Sequence, residues 1–287
     1  VLGEEHLDTL SDMNNLAITL NDLGNFNESL ILRKKVLTLR KKVLGEEHLD
    51  TLSAMNNLAI TLNDLGKFNE SLNLKEEVLT LRKKILGEEH SDTLSTMNNL
   101  AVTLSALGRY DEALALKEKV LILRKKILGE EHPYTLIAMN NLAVTLSDLG
   151  RYDESLALKE KVLTLRKKIL GEEHPDTLIA MQNLAITLGE LDRYDEVLEL
   201  EEKVLTLRKK ILGEEHPDTL TAMQNLAITL GELDRYDEVL ELEEKVLTLR
   251  KKILGEEHPD TLTAMQNLAI TLGELDRYDE VLELEEK

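Results

Sequence analysis

Seven histidines recur at intervals of 42 residues, and each follows two glutamates in the sequence GEEH. They are His6, His48, His90, His132, His174, His216 and His258. Imidazole and carboxylate groups together could ligate a metal ion. However, one histidine per copy places neighbouring imidazoles at least about 10 Å apart in a stack of helices, whereas zinc needs its ligands about 2 Å from one centre. We therefore expect no metal site and interpret each histidine as a turn residue that caps a helix.

The adjacent glutamates of each copy are candidates for general acid–base chemistry, which needs carboxylates that converge on one pocket. A ladder of surface pairs provides no such pocket. The sequence also contains no cysteine, no phosphate-binding loop, no Gly-x-Ser-x-Gly motif and no dinucleotide fingerprint. We expect a protein that is not an enzyme and that needs no cofactor.

The net charge of −20 is unevenly distributed, because residues 1–168 sum to −2 and residues 169–287 to −18. An acidic surface repels phosphate groups, which argues against nucleic acid and anionic membranes as partners. No apolar run approaches the ~18 residues of a membrane span, and no basic-then-apolar leader opens the chain. These features predict an intracellular, cytoplasmic protein.

The apolar pattern within one copy predicts two helices. In the third copy, apolar residues recur every three or four positions over about four turns, which is typical of one helix face. This face contains Leu94, Met97, Leu100, Ala101, Leu104 and Leu107. Gly108 is then expected to provide a left-handed stop, and Asp111 to cap a second helix, as Asn27 and Asn69 do in earlier copies. The second helix has the apolar seam Ala113, Leu116, Val120, Leu123 and Ile127.

A lone helix pair cannot bury so broad an apolar face, so the copies must stack. The sequence NNLAVTLSALGRYDEALALKEKVLILRKKILGEEHP resembles the 42-residue tetratricopeptide repeat of kinesin light chains, which also occurs in sensor regions of nucleotide-binding immune-type receptors. The residues that carry the resemblance are Leu100, Ala101, Leu104, Gly108, Tyr110 and Ala113. It covers essentially the whole chain as a single solenoid cut from a longer protein. Its units are residues 1–42, 43–84, 85–126, 127–168, 169–210, 211–252 and 253–287.

This resemblance implies an all-α fold, a right-handed superhelix of antiparallel helix pairs whose first helices line a concave groove. It implies a non-catalytic module for protein–protein interaction, in the sensor or scaffold region of a larger signalling protein. The chain departs from the ordinary repeat at a position in the second helix that usually holds Tyr or Phe. The residues there are Arg33, Lys75, Lys117, Lys159, Glu201, Glu243 and Glu285. A second departure replaces the turn glycine by Asp192, Asp234 and Asp276 in the last three copies.

A second face of each first helix carries an amide and, four residues later, an Ile or Val. By the resemblance this face, which we call the concave stripe, lines the groove. Its amides can donate to and accept from the backbone of an extended peptide, and its apolar residues offer a small pocket. The stripe lacks Lys and Arg and lies near Asp148, Glu190, Glu232 and Glu274, so a neutral-apolar or basic peptide is predicted. The stripe contains Asn14, Ile18, Asn56, Ile60, Asn98, Val102, Asn140, Val144, Gln182, Ile186, Gln224, Ile228, Gln266 and Ile270.

A further Asn follows the stripe amide in every copy, and either a structural or a ligand-facing role fits it. These residues are Asn15, Asn57, Asn99, Asn141, Asn183, Asn225 and Asn267. The basic triplets, from Arg40-Lys41-Lys42 to Arg250-Lys251-Lys252, could form an anion-binding ladder. We favour a solvated surface instead, because two glutamates follow each triplet closely enough to neutralise it.

Copies five to seven are nearly one sequence and differ, over their shared length, only at Ile179 and Thr221. Recent expansion of the array and a deliberately chosen sequence both fit this similarity. The chain starts at Val1-Leu2, the expected tail of a second helix, and stops at Lys287 within another. Such an array is expected to expose an apolar layer at each end. The alternative function is therefore a structural spacer, or an array that self-associates by stacking end to end.

Overall fold

A computed structural model describes residues 3–285 and, apart from Glu283 and Glu285, their side chains. This range contains fourteen α-helices and no strand. The helices are α1 Leu7–Asp22, α2 Phe26–Leu44, α3 Leu49–Asp64, α4 Phe68–Leu86, α5 Ser91–Ala106, α6 Tyr110–Leu128, α7 Pro133–Asp148, α8 Tyr152–Leu170, α9 Pro175–Gly189, α10 Tyr194–Leu212, α11 Pro217–Glu232, α12 Tyr236–Leu254, α13 Pro259–Glu274 and α14 Tyr278–Glu285. Each copy thus forms one helix pair, which confirms the all-α repeat fold. The expectations for Val1-Leu2 and Lys287 lie outside the described residues.

The chain divides into two compact units, residues 1–150 and residues 151–287. The first unit contains α1 to α7 and the second contains α8 to α14. Within each unit, successive helices pack against one another. The connections between them are only a few residues long, so neighbouring helices run in opposite directions.

Each first helix begins directly after the histidine of the GEEH sequence. Nδ1 of His90, for example, accepts a hydrogen bond of 3.1 Å from the backbone N–H of Asp92, and the histidine backbone is extended, as is usual for a helix cap. The same bond occurs in all seven copies at 3.1–3.2 Å. The interpretation of the histidines as caps is confirmed.

The turn between the two helices of a copy contains a left-handed residue, as expected. Gly108 has φ 73°. Its N–H donates to Ser105 O at 2.9 Å, and the N–H of Arg109 donates to Leu104 O at 2.9 Å, which is the Schellman pattern of helix termination. Asp192 and Asp234 adopt the same conformation with φ 56° and 57°, although a side chain makes it less favourable.

The prediction that Asp111 caps the second helix is wrong. Helix α6 begins one residue earlier, at Tyr110, and its N-cap Arg109 makes no side-chain capping bond. The Schellman turn ends at Arg109, so the second helix starts immediately and Asp111 falls in its first turn. Asn27 and Asn69 likewise lie inside α2 and α4.

The core of the third copy combines large and small apolar residues of its two helices. Met97 and Ala101 of α5 are completely buried, and Val120 of α6 is 1% exposed. The predicted seam of the second helix is confirmed up to Leu123 but is wrong at Ile127, which is 43% exposed. The last turn of α6 extends beyond the first-helix face that covers the seam.

The arginine of each basic triplet is structural, which corrects the interpretation of the triplets as solvated. Arg82 is 7% exposed, and its Nη1 donates to Asp92 O at 3.1 Å and to Thr96 Oγ1 at 2.8 Å. Equivalent arginines bond the backbone oxygen ten residues later in other copies. The guanidinium therefore ties a second helix to the first turn of the next copy.

The two lysines of the triplets are neutralised at the surface, in part by a different partner from the one expected. Lys41 pairs with Glu46 of the following loop at 3.2 Å, but Lys42 pairs with Glu5 of the preceding loop at 2.5 Å. The second arrangement recurs, and we call it the loop ladder. Its pairs are Lys42–Glu5, Lys84–Glu47, Lys126–Glu89, Lys210–Glu173 and Lys252–Glu215.

Candidate functional site

The concave stripe is accessible in both units. Its amides are half-buried, apart from the exposed Gln266. Its aliphatic residues are exposed, apart from the half-buried Ile60. The opposite face of the same helices carries buried Leu and Ala residues. The stripe side chains are thus at least partly exposed.

In the first unit, the stripe amides are bonded to the following Asn of the next copy. Asn57 Nδ2 donates to Asn14 Oδ1 at 3.1 Å. Asn99 Nδ2 donates to Asn56 Oδ1 at 3.5 Å, and Asn141 donates to Asn98 at 3.0 Å. The following Asn is therefore structural in these copies. Because the side-chain oxygens of Asn14, Asn56 and Asn98 each accept a bond, the N–H groups of these amides are the donors that remain.

In the second unit, arginines of the basic triplets hold the stripe glutamines. Arg208 Nη2 donates to Gln182 Oε1 at 3.0 Å, and Arg250 Nη2 donates to Gln224 Oε1 at 2.8 Å. These bonds again leave the amide N–H groups as the donors that face the groove. The longer Gln reaches the arginine, so Asn267 has no side-chain hydrogen bond to any described residue and lies beside the groove instead.

The aliphatic residues of the stripe are more exposed in the second unit than in the first. Ile186 and Ile228 are 62% and 65% exposed, whereas Val102 is 46% exposed. Three residues after each of these positions, the second unit has Gly189 and Gly231 where the third copy has Ser105. No side chain shields the isoleucines from that position, so the second unit offers the larger apolar surface.

Each second helix has a charged residue at the position where the ordinary repeat has Tyr or Phe. This residue lies underneath the stripe, and we call its place the floor position. In the second copy it is occupied by Lys75, which is 2% exposed. The ammonium group donates to Thr103 Oγ1 at 2.6 Å and to Asn99 O at 3.2 Å. Burial lowers the pKa of Lys75 to about 8. Lys117 bonds Thr145 in the same way.

The charge at the floor position is reversed in copies five and six. Glu201 Oε2 accepts a hydrogen bond of 2.6 Å from Thr229 Oγ1. Glu243 bonds Thr271, while its Oε2 is buried and has no hydrogen-bond partner among the described residues. Burial raises the pKa of both carboxyl groups. The sequence singled out these residues but did not place them under the stripe.

A pocket lies above Glu243 between α11, α12 and α13. The cavity itself measures about 20 Å³, enough for one water-sized group, and it opens to solvent. Gln224 and Ile228 of the stripe form one wall, Asn267 forms another, and Glu243 lies between them. An unpartnered carboxylate oxygen, a free side-chain amide and an exposed isoleucine therefore meet at one point of the groove.

The described residues contain no cluster of side chains that could hold a metal ion. Among the helices of that same range, none is long and apolar enough to cross a membrane. The arrangement can supply hydrogen bonds, apolar contact and buried charge. These are the properties of a binding surface in a helical repeat protein.

The comparison with known families agrees with this class. A family profile described as tetratricopeptide repeat matches residues 7–84, 50–126, 92–168, 138–210 and 240–287, and a second profile with the same description matches residues 219–260. The chain belongs to the tetratricopeptide repeat family. This fold generally serves as a scaffold for protein interactions and is typically non-catalytic.

Several solved structures are similar to the chain. Nearly identical TPR-like repeats from a Podosopora anserina protein assigned to the kinesin light chains are 31% identical, with a TM-score of 0.66 over 72% of this chain and 99% of that one. BtubC from P. vanneervenii is 18% identical, with a TM-score of 0.68 over 82% and 94%.

The STAND protein PH0952 of Pyrococcus horikoshii, which has a tetratricopeptide repeat sensor, is 15% identical, with a TM-score of 0.67 over 92% of this chain and 39% of that one. At such low identity the last two structures show the fold alone. Among curated proteins nothing matches the chain.

Proposed function

We propose that the chain binds an extended peptide segment of a partner protein along the concave stripe. The observation that carries this proposal is the fixed orientation of the stripe amides. Asn14, Asn56, Asn98, Gln182 and Gln224 each have the side-chain oxygen bonded within the protein. Their N–H groups are left to donate, so backbone carbonyl groups of a peptide are the matching acceptors.

The aliphatic residues next to these donors supply the second half of the interaction. Within each copy, one exposed Ile or Val stands four residues after the amide and therefore lies beside it on the helix face. A peptide that places a carbonyl group on the amide can cover this residue with an apolar side chain. Burying an exposed aliphatic residue stabilises a complex by about 25 cal/mol per Å² of apolar surface.

The charge around the stripe favours neutral-apolar or basic peptides. Glu232 and Glu274 close the stripe helices α11 and α13 of the second unit, and residues 169–287 carry a net charge of −18. An acidic peptide would meet repulsion along this surface, whereas a basic one would be attracted.

A selection from a random peptide display library on the purified chain tests the proposal. The Asn56→Ala, Asn98→Ala variant removes two stripe donors and also breaks the bonds from Asn99 and Asn141. The Asn99→Ala, Asn141→Ala variant breaks the same two bonds but keeps the stripe amides, so it is the matched control.

We expect enriched peptides to bind the control variant more weakly than the wild type, because its stripe amides are no longer held in one orientation, and to lose binding to the stripe variant. Peptides that bind both variants equally would place recognition elsewhere and refute the proposal. Failure to enrich any peptide on folded, monodisperse protein would also refute it. Enrichment of acidic peptides would overturn the charge preference alone.

End-to-end self-association is the second candidate, and one apolar pocket favours it. Leu262, Met265 and Ala269 of α13 line this pocket of about 570 Å³. The equivalent Leu220, 4% exposed, and Met223, completely buried, are covered within the array. A second copy of the chain would cover the α13 face in the same manner. An added polar capping helix should then abolish any concentration-dependent association, and association that persists would contradict the idea.

A cytoplasmic location and a role as the sensor or scaffold region of a larger signalling protein remain predictions. The proposed peptide binding is independent of both, since it depends only on the stripe and on the residues that orient it.

A further inference from the structure

We propose that the pocket above Glu243 receives the lysine side chain of a bound peptide, with its ammonium group on the free carboxylate oxygen. Glu201, at the same position one copy earlier, also lies below the stripe, but its Oε2 already accepts a hydrogen bond from Thr229. This inference rests on the proposed function, because it assigns the ligand class at particular points of the same groove.

In the second copy, the protein's own ammonium group, that of Lys75, lies at the position equivalent to Glu243. Lys75 Nζ lies 2.6 Å from Thr103 Oγ1 and 3.2 Å from Asn99 O. The residues four copies later are Thr271 and Asn267. The surroundings that accept a cation in the second copy are thus repeated in the last copies, where no lysine is present to occupy them.

The carboxyl group of Glu243 has a hydrogen-bond acceptor that no described residue satisfies. One oxygen is served by Thr271, and Oε2 is buried without a partner among the described residues. A buried carboxylate oxygen without a donor costs free energy that a charged donor recovers. Oε2 itself is covered, but Glu243 lines the pocket, so a donor that enters the pocket reaches this oxygen after a rotation of the Glu243 side chain.

No described Lys or Arg of the protein lines the pocket and competes with a ligand for the Glu243 carboxylate. The pocket is lined by apolar residues and the two amides, without Lys or Arg. Arg250, two turns further along α12, already donates to Gln224 Oε1 and to Asp260 O. Glutamate is also shorter than lysine, and the cavity of about 20 Å³ beside it admits one water-sized group, which is the size of an ammonium group.

The fit is specific for a cation at the last copies and unsuitable for one in copies two and three. There, Lys75 and Lys117 occupy the floor position and repel a second ammonium group. A peptide with one lysine therefore binds with that lysine over a floor glutamate of the last copies. The single change from Lys to Glu at the floor position, between Lys159 and Glu201, sets which stretch of the groove reads a basic residue.

Pools of short peptides of one length, random except for a central lysine, norleucine or glutamate, test the inference. Norleucine keeps the lysine stem without its charge. The test variant is Glu201→Gln, Glu243→Gln. The matched control is Glu202→Gln, Glu244→Gln, which makes the same change in net charge at exposed positions one residue along the same helices.

We expect the lysine pool to be retained about tenfold better than the norleucine pool by the wild type and by the control, the usual size for a hydrogen bond to a charged group. The test variant should retain both pools equally. Equal retention of both pools by the wild type would overturn the inference while leaving peptide binding intact. Loss of the lysine preference in the control as well would assign it to overall charge and also overturn the inference.

A second measurement separates failure of the site from failure of the proposed function. n-Butylammonium, which mimics the end of a lysine side chain, is titrated into the protein while the side-chain amide NMR signals of Gln224 and Asn267 are followed. Tetramethylammonium is the ionic control. Saturable shifts with butylammonium only, lost in the test variant, would support the site even if no peptide were enriched. Identical responses to both ions would refute it.

Discussion

Replacing Lys75 by Met tests whether a charged group really lies inside the array. Met retains most of the volume of the lysine stem and removes the ammonium group. Lys75 is 2% exposed, and burial lowers the pKa of its ammonium group from 10.5 to about 8. That difference corresponds to about 3 kcal/mol, at about 1.4 kcal/mol per pH unit.

The sign of the pH dependence follows from proton binding in the two states. Below pH 8 the ammonium group is charged in both states, so the folded state carries the whole cost of burying it. Between about pH 8 and 10.5 the unfolded chain holds a proton that the folded protein has released. The free energy of unfolding of the wild type therefore rises with pH in this window, and that of Lys75→Met lacks this rise.

At pH 7 the variant also loses two hydrogen bonds, from Lys75 to Thr103 and to Asn99 O. At about 1.5 kcal/mol each for a charged donor, they offset the whole gain of about 3 kcal/mol. We expect the Met variant and the wild type to be about equally stable at pH 7, and the wild type to become the more stable of the two as the pH rises above about 8.

The assay is a ¹³Cε NMR titration of the lysines, in which Lys75→Met identifies the signal of Lys75. Urea unfolding midpoints of wild type and variant at neutral and alkaline pH complete it, since arrays need not unfold in one step. Lys67→Met, at an exposed position before α4, is the control. Titration of Lys75 near 10.5, or equal pH dependence of wild type and variant, would refute the reasoning.

Two further predictions concern single positions of the second unit. Burial raises the pKa of Glu243, so the folded state holds this proton to higher pH than the unfolded chain does. The urea midpoint of the wild type should therefore fall as the pH rises from about 4.5 through the raised pKa, and Glu243→Gln should reduce this fall. An equal fall in wild type and variant would contradict the burial of the carboxyl group. Asp234 has φ 57°, a conformation that glycine adopts at lower cost. Asp234→Gly should therefore raise the free energy of unfolding by about 1 kcal/mol. Asp237→Gly, in the first turn of α12, should instead lower the free energy of unfolding by about 0.5 kcal/mol, because helix propensity falls and the carboxylate no longer interacts with the helix dipole. Equal effects of the two changes would contradict the explanation.

The helix pairs and turns could be predicted because their signals are local. The recurrence of Leu, Met and Ala every three or four residues fixes a helix face, and Gly108 or Asp192 marks the turn between the helices. The histidine caps could be predicted because each copy repeats them beside a proline or another first-turn residue. These features depend on neighbours within a few positions of the sequence.

The floor position could not be placed from charge alone, since Lys and Glu are normally exposed. Its spacing nevertheless carried a signal. Lys75 stands three residues after Leu72 and three before Val78, both of which are buried, at 7% and 0% exposure. Arg82 was misplaced for the same reason, because its partners are backbone and hydroxyl oxygens of the next copy, which no pattern of charges reveals.

The ion pairs of the loop ladder can form in the same way whatever the number of copies in the array. Its pairs join residues a constant 37 positions apart, as Lys42 joins Glu5 and Lys252 joins Glu215. Removing or duplicating a stretch of 42 residues among the last copies therefore gives every residue a substitute partner of the same type. A gene of this kind can gain or lose a copy by unequal recombination without a mismatched junction, and each gain adds another helix pair of the same sequence to the protein.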